Sequence, residues 1–260
     1  MNSRPRALSL LRNSEHYRAT AFRTGLQAVG FEVVTELRDP MPADVLLTWN
    51  RSGGNNETAH QFEGAGARVL VAENGYLGKS WRGEKWFALS LGHHVGAGEW
   101  MPAGRERWDA LQVPLAPWRE GGTDVLVLEQ RGIGEPGIAS PPGWAERIAH
   151  LTGGRIRKHP GATEPAISLE ADLVGVREVI TWHSAGALAA LMAGVPVFYD
   201  FPRWIGAQAA VPLRLRGQVP PLRDDAARLA MFRSLAWAQW AFPEIERGDA
   251  FAHLLEPAHA

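Results

Sequence analysis

The sequence predicts an α/β protein made of two halves, each built on a parallel sheet flanked by helices. Three observations carry this expectation. Short apolar runs of strand length alternate with helical stretches of about ten to fifteen residues, as in βαβ units. The alternation stops over residues 101–122, where Pro102, Pro114, Pro117 and Gly121-Gly122 suit a linker, and then starts again. A chain of 260 residues is long for one compact domain and sufficient for two of modest size.

In the first half, "RALSLLR" (6–12) reads as a strand and "EHYRATAFRTGLQAVG" (15–30) as an amphipathic helix stopped by Gly30. "FEVVTE" (31–36) and "DVLLTWN" (44–50) follow as strands, the second apolar enough to be buried on both faces. "NNETAHQFEGAG" is a helix capped by Asn55 or Asn56, and "ARVLVAE" (67–73) and "KWFALSL" (85–91) are the next strands. In the second half, "TDVLVLEQ" (123–130) is a strand, "PPGWAERIAHLTG" (141–153) a helix opened by proline, and "RIRKH" (155–159) a strand. "VITWHSAGALAALMAGVPVFYD" (179–200) supplies strand, turn, helix and strand, with Gly194-Val195-Pro196 ending the helix. From Asp224 a long helix carries Leu229, Phe232, Leu235, Ala236, Gln239 and Trp240 on one face. The expected boundaries are 1–115 and 116–223 for the two halves, facing a central cleft. Residues 224–260 are expected as a helical segment packing back across them.

Composition narrows the function. A net charge of −1 leaves no global field to draw the chain to nucleic acid or an anionic membrane. The sign is uneven, because Arg4, Arg6, Arg12, Arg18 and Arg23 precede residue 30 against the single acid Glu15. Cysteine is absent, which excludes disulfides, thiolate zinc sites and cysteine nucleophiles. No apolar run reaches the roughly 18–20 residues of a membrane span, and no secretory signal pattern opens the chain, so a cytoplasmic protein is expected. Of the 11 tryptophans, those in glycine-rich loops are placed to stack on a ligand.

Four stretches carry chemistry. Gly132, Gly134 and Gly137 match G-x-G-x-x-G after a strand. Pro136 stands where the helix should begin, however, and the next strand ends in Arg157-Lys158-His159 rather than in an acid for a ribose. A glycine-rich loop lining a cleft fits better than a nicotinamide site. Arg157, Lys158 and His159 close a strand whose C-terminal end faces the ligand crevice, which suits a phosphate; the plain alternative is a solvated basic edge. Ser184 precedes the small residues Ala185, Gly186 and Ala187 at a helix start, where exposed backbone N–H groups and a hydroxyl receive an anion. A plain N-cap fits Ser184 as well. The nucleophile reading, with Asp200 and His253 completing a triad, lacks the first glycine of G-x-S-x-G because Trp182 holds it. In the first half, Glu73 ends an apolar strand ahead of Asn74-Gly75 and reads as a general base raised by partial burial, or as an ordinary turn acid. His93, His94 and Glu99 lie on a flexible loop. Adjacent histidines point apart in an extended chain, and with no D-x-D triplet no metal site is expected.

Together, "RKHPG" and "TWHSAGALAALMAGVPVF" resemble the C-terminal half of bacterial GT-B glycosyltransferases. The likeness is greatest to capsule and lipopolysaccharide Kdo transferases and to bacterial sialyltransferases. "TWNR" (48–51) and "ENGYLG" (73–78) resemble the corresponding stretch of the capsule enzymes, and "WAQWAFPEI" (237–245) a closing helix of related transferases. The resemblance implies a GT-B fold and sugar transfer from a nucleotide-sugar donor with neither metal nor cofactor. It implies that His159 and Ser184 bind the donor phosphate, with Ala185, Gly186, Lys158, Arg131 and Gly132 beside them. It makes Glu73 the catalytic base. Asn50, Arg51, Asn74, Tyr76, His93 and His94 are expected on the acceptor side. Asn74 departs from the family, which carries a second acid there. The acceptor is expected to be a glycan or, given the N-terminal arginines, a hydroxymethylated base in phage DNA that must be extracted from its stack. A nucleotide-dependent oxidoreductase, a serine hydrolase and a non-catalytic sugar-nucleotide binder are the rival expectations.

Overall fold

Val45, Leu46 and Leu47 are fully buried because the strand that holds them lies in the middle of a sheet covered on both faces. The computed structural model describes residues 4–49, 51–77, 80–93, 97–160 and 167–255. The chain divides into two compact units, one formed by Met1–His94, Gly98–Ala103 and Ala236–Ala260, the other by Val95–Ala97 and Gly104–Leu235.

The first unit opens with β1 (Arg6–Ser9), α1 (Ala19–Ala28), β2 (Glu32–Val34), β3 (Val45–Thr48), α2 (Gly54–Gly64), β4 (Arg68–Asn74), β5 (Ser80–Trp81) and β6 (Glu84–Leu91). The second contains α3 (Glu106–Leu111), β7 (Asp124–Leu128), α4 (Trp144–Thr152), β8 (Arg155–Arg157), α5 (Leu169–Asp172), β9 (Val176–Thr181), α6 (Gly186–Met192), β10 (Val197–Tyr199), β11 (Val211–Pro212) and α7 (Asp225–Leu235). The chain then returns to the first unit with β12 (Gln239–Ala241), α8 (Phe242–Arg247) and α9 (Asp249–Leu255).

The first sheet has the order β12-β6-β4-β3-β1-β2, with β5 pairing β6. Its β1–β4 are parallel, but β6 runs antiparallel to β4, and β12 antiparallel to β6. The parallel sheet expected for this half is thus parallel from β1 to β4 and antiparallel at its β6 and β12 end. The reason is reach: the connection from Asn74 to Glu84 is too short for the crossover of a dozen or more residues that a parallel neighbour needs. Arg82 and Gly83 both take positive φ in the tight turn that joins β5 to β6. One face of the sheet packs Val45, Leu47, Leu70 and Phe87 against Phe22, Leu26, Ile245 and Phe251 of α1, α8 and α9. The other packs Leu46, Val69 and Val71 against Ala59 and Phe62 of α2. Gly25 lets α1 and α8 approach, since a Cβ there would run into the Ile245 carbonyl.

The second sheet, β11-β10-β9-β7-β8, is parallel throughout, with Val125, Val127, Ile180 and Phe198 packed on Trp144 and Ile148 of α4. The supposed linker contributes to this unit, because α3 places Trp108 stacked on Phe232 of α7 with ring centroids 4.9 Å apart. The long terminal helix is also corrected. It ends at Leu235, a 3₁₀ turn spans Ala236–Ala238, and Gln239 and Trp240 are buried as members of β12. The stretch 237–245 becomes α-helical only from Phe242, where Glu244 accepts the Ala241 N–H at 2.7 Å. Two helix starts also shift: α2 begins at Gly54, with Asn55 and Asn56 inside it, and α4 begins at Trp144, beyond the proline pair. Among the described residues no helix is long and apolar enough to cross a membrane.

Candidate functional site

Parallel strands stop with their C-terminal ends on one edge, and in the second unit three adjacent strands, β8, β7 and β9, do so side by side. The segments that follow line two cavities. The smaller, about 260 Å³, is bounded by Gln130, Lys158, His159, Ser184, Ala185 and Gly186. The larger, about 710 Å³, lies under the glycine-rich loop, between Arg131, Gly132, Gly137, Pro142 and the first turn of α4. Glu129 and Gln130 line both.

The basic triplet after β8 separates into three different environments. The Arg157 guanidinium donates to Asp172 Oδ2 at 2.6 Å and to the Ile167 carbonyl at 3.2 Å, while Arg155 pairs with the same aspartate. Lys158 pairs with Glu129 Oε1 at 2.7 Å and lies 3.8 Å from Glu146, and those carboxylates raise its pKa. Both cations expected to face a phosphate are thus held by carboxylates. His159 is half-buried, and burial first, then the nearby Arg131 charge, hold its pKa below the usual histidine value, against the pull of Glu129. Near neutral pH His159 is therefore an uncharged N–H donor. Arg131 is exposed on the loop and forms no ion pair among the described residues.

Ser184 lies at the turn after β9. Its N–H donates to Thr181 Oγ1 at 2.7 Å, and its Oγ accepts the Gly186 N–H at 3.1 Å. The hydroxyl thus meets one orphan donor of the helix start, although the residue at the cap position itself is Ala185. Among the described residues none accepts the hydroxyl proton. Neither supposed triad partner is bonded to Ser184: Asp200 accepts the Trp144 indole N–H at 2.8 Å, and His253 is bonded to the Met101 carbonyl and stacked on Trp237.

The three loop glycines take positive φ, Gly132 at 66°, Gly134 at 121° and Gly137 at 92°. They do not open a helix, since α4 starts only at Trp144, so the dinucleotide-loop geometry is missing.

In the first unit, β4 ends at Asn74, one residue beyond Glu73: Glu73 pairs with Ala88, Asn74 pairs with Phe87, and the Gly75 N–H still reaches the Trp86 carbonyl at 3.0 Å. Tyr76 is buried, and burial together with the Glu73 charge pushes its phenol well above the usual tyrosine range. Asn74 Oδ1 is buried without a hydrogen-bond partner. Arg51, expected on the acceptor side, is an internal staple, forking onto Glu63 at 2.5 and 3.0 Å, reaching the Gly92 carbonyl at 2.5 Å and binding Asn56 Oδ1 at 3.0 Å. His93 is buried in the turn after β6, where its carbonyl accepts from Ser90. Asn50 and His94 lie outside the described residues. Of the N-terminal arginines, Arg6 pairs with Asp44 at 2.6 Å, Arg4 binds the Gly30 carbonyl and Arg18 pairs with Glu15, while Arg12 and Arg23 are exposed. Among the described residues no group of three or more histidines and carboxylates is placed to hold a metal ion.

The sequence reading passed over Gln130 and His183. Gln130 is joined to His183 at both its backbone N–H and its ring, each at 2.8 Å. It also passed over an aromatic group at the end of β3, where Tyr17 and His16 meet Trp49 edge-on at 4.7 and 5.4 Å. No local pattern marks either group, since the partners are far apart in sequence.

No protein-family model and no curated protein matches the chain. Solved structures do share its fold. One is "Thermosulfurimonas dismutans KpsC, beta Kdo 2,7 transferase", 12% identical over 94% of this chain and 98% of that one, with a TM-score of 0.55. Another is "Thermosulfurimonas dismutans KpsC, beta Kdo 2,4 transferase", 13% identical over 90% of each chain, with a TM-score of 0.56. The fold is GT-B. Its two Rossmann-like units are those described above, the first with a mixed sheet and the second with a parallel one.

Proposed function

We propose that the chain is a metal-independent glycosyltransferase that moves a sugar from a nucleotide donor to an acceptor hydroxyl, with a glycan as acceptor. The observation that carries this reading is the pair of adjoining cavities at the ends of β7, β8 and β9. The smaller offers the His159 ring N–H, the Ser184 hydroxyl and the Ala185 N–H to a phosphate. The larger has room for the nucleoside. The GT-B fold shared with two Kdo transferases supports the same assignment.

In the proposed step, the Glu73 carboxylate takes the proton of the acceptor hydroxyl, and that oxygen bonds to the anomeric carbon. The bond from that carbon to the donor phosphate breaks, and the phosphate oxygen leaves with the electron pair. General base assistance of this kind is typically worth ~10²–10⁴ in rate. Charge gathering on the phosphate is met by His159, Ser184 and Arg131, a loop cation with no carboxylate partner among the described residues, acting as preorganised donors.

A thermal-shift and calorimetry panel of cytidine, uridine, guanosine and nicotinamide nucleotides tests the donor half. One of the first three should bind without added metal and in EDTA, and His159→Ala should weaken it by about tenfold or more. Binding of the nicotinamide nucleotide alone would favour the oxidoreductase. Glu73→Gln should abolish transfer with donor affinity near normal, and wild-type turnover in that variant would refute the base. Transfer to hydroxymethylated DNA, with none to glycans, would overturn the acceptor.

A further inference from the structure

The strongest unexplained feature of the second unit is a buried histidine that its neighbours hold in one protonation state. We propose that Gln130 and His183 are a positioning pair that holds the glycine-rich loop 131–140 as the wall of the larger cavity, and that protonation of His183 releases that wall.

The hydrogen-bond assignments follow from two backbone groups. The His183 N–H can only donate, so the Gln130 atom facing it at 2.8 Å is Oε1. The other end of the same amide, Nε2, then faces His183 Nδ1 at 2.8 Å, and because Nε2 donates, Nδ1 must present its lone pair. The ring proton therefore sits on Nε2, which donates to the Ile138 carbonyl at 2.9 Å. That carbonyl also accepts the Trp182 indole N–H at 2.8 Å, so residues 182 and 183 tie the loop to the end of β9 through one oxygen. His183 is only 3% exposed, and Phe201 closes its ring edge-on at 5.3 Å. The loop has little regular structure of its own, a turn at Glu135–Ala139 apart. Its position therefore depends on this tie.

A second ring proton would sit on Nδ1, pointing at the Gln130 amide N–H₂. Rotating the amide would answer that proton but would set N–H₂ against the His183 backbone N–H. Either arrangement sacrifices a bond of the pair; the Nε2–H still donates to the Ile138 carbonyl, so what favours opening the loop is the buried, unanswered proton on Nδ1, which only water could then satisfy. The charged groups on the packed elements do not compensate: Glu129 is paired with Lys158 and Asp200 is held by Trp144, while Arg131 and Glu135 ride on the loop itself. Burial accordingly holds the His183 pKa below the usual value, with the Ile138 carbonyl acting the other way.

What fills the cavity rests on the nucleotide reading; the tie itself does not. The test therefore begins without ligand, on the full chain labelled with ¹⁵N-histidine. Side-chain spectra near pH 7 should show His183 as the neutral Nε2–H form. Amide-exchange protection of the loop should fall roughly tenfold as pH drops through the His183 titration. In Gln130→Glu a carboxylate accepts both the backbone N–H and a protonated Nδ1, so the loop should stay protected in acid and His183 should titrate higher. The Nδ1–H form in the wild type, unchanged loop protection across the titration, or the same acid response in Gln130→Glu would each overturn the pair. The wild-type titration stands alone if the variant does not fold. Nucleotide affinity should fall together with loop protection. A loop that responds in a protein that binds no cytidine, uridine or guanosine nucleotide at any pH would support the pair and refute the nucleotide reading.

Discussion

The two sheets differ at the edge where their parallel strands stop, and the difference decides what each edge can present. In the second unit β7, β8 and β9 end together, and the loops beyond them are left to form cavity walls. In the first unit β4 continues alongside antiparallel β6, so Glu73 and Asn74 sit inside a ladder. Side chains alternate there, which sets Glu73 on the α2 face with Val69 and Val71, and Asn74 on the opposite face with Leu70 and Ala72. A second acid at position 74 would therefore not stand beside Glu73.

At both edges the arginine or lysine nearest the motif is held by a carboxylate, Arg51 by Glu63 and Lys158 by Glu129. Arg51→Ala tests the first unit and should have the largest effect, a stability loss of about 3 kcal/mol in urea unfolding. That estimate takes the low end of the range for breaking a buried pair, because Glu63 keeps access to water. Arg51→Lys should recover little of it, since an ammonium cannot reproduce the fork. In the second unit, Arg131→Ala should weaken nucleotide binding by about tenfold or more, whereas Lys158→Ala should change it by less than about twofold. Calorimetry that reversed this order would show Lys158 leaving Glu129 for the phosphate. The smallest effect concerns pH. His159 and His183 both have lowered folded pKa values, so the folded chain binds fewer protons than the unfolded one just below pH 6.5. Their contribution to stability is complete above that pH and declines as pH falls toward the lowered values. Unfolding midpoints measured across this interval should show the decline, and His183→Gln should reduce it. An unchanged slope in that variant would assign the decline elsewhere.

Much of the fold was legible locally, because burial on both faces leaves an unbroken apolar run and a glycine ends a helix wherever it stands. Val45–Thr48, Asp124–Leu128 and the strand-turn-helix-strand of 176–199 follow that logic. Even the antiparallel β6 was within reach, since the span from Asn74 to Glu84 leaves no room for a crossover. The break at Leu235 was not, because the apolar spacing continues through Trp240 while the chain passes from one unit to the other.

The sequence by itself determined the α/β class and most strand positions, since propensity and periodicity act over a few residues. Tertiary structure alone decided which charges are spent. Asp172 claims Arg157, Glu129 claims Lys158, Glu63 claims Arg51, and Gln130 fixes the proton of His183. Apart from Arg51 and Glu63, which lie 12 positions apart, these partners are separated by 15 to 53 positions. A charge is neutralised by whatever lies within a few ångströms, and only the fold brings such residues that close.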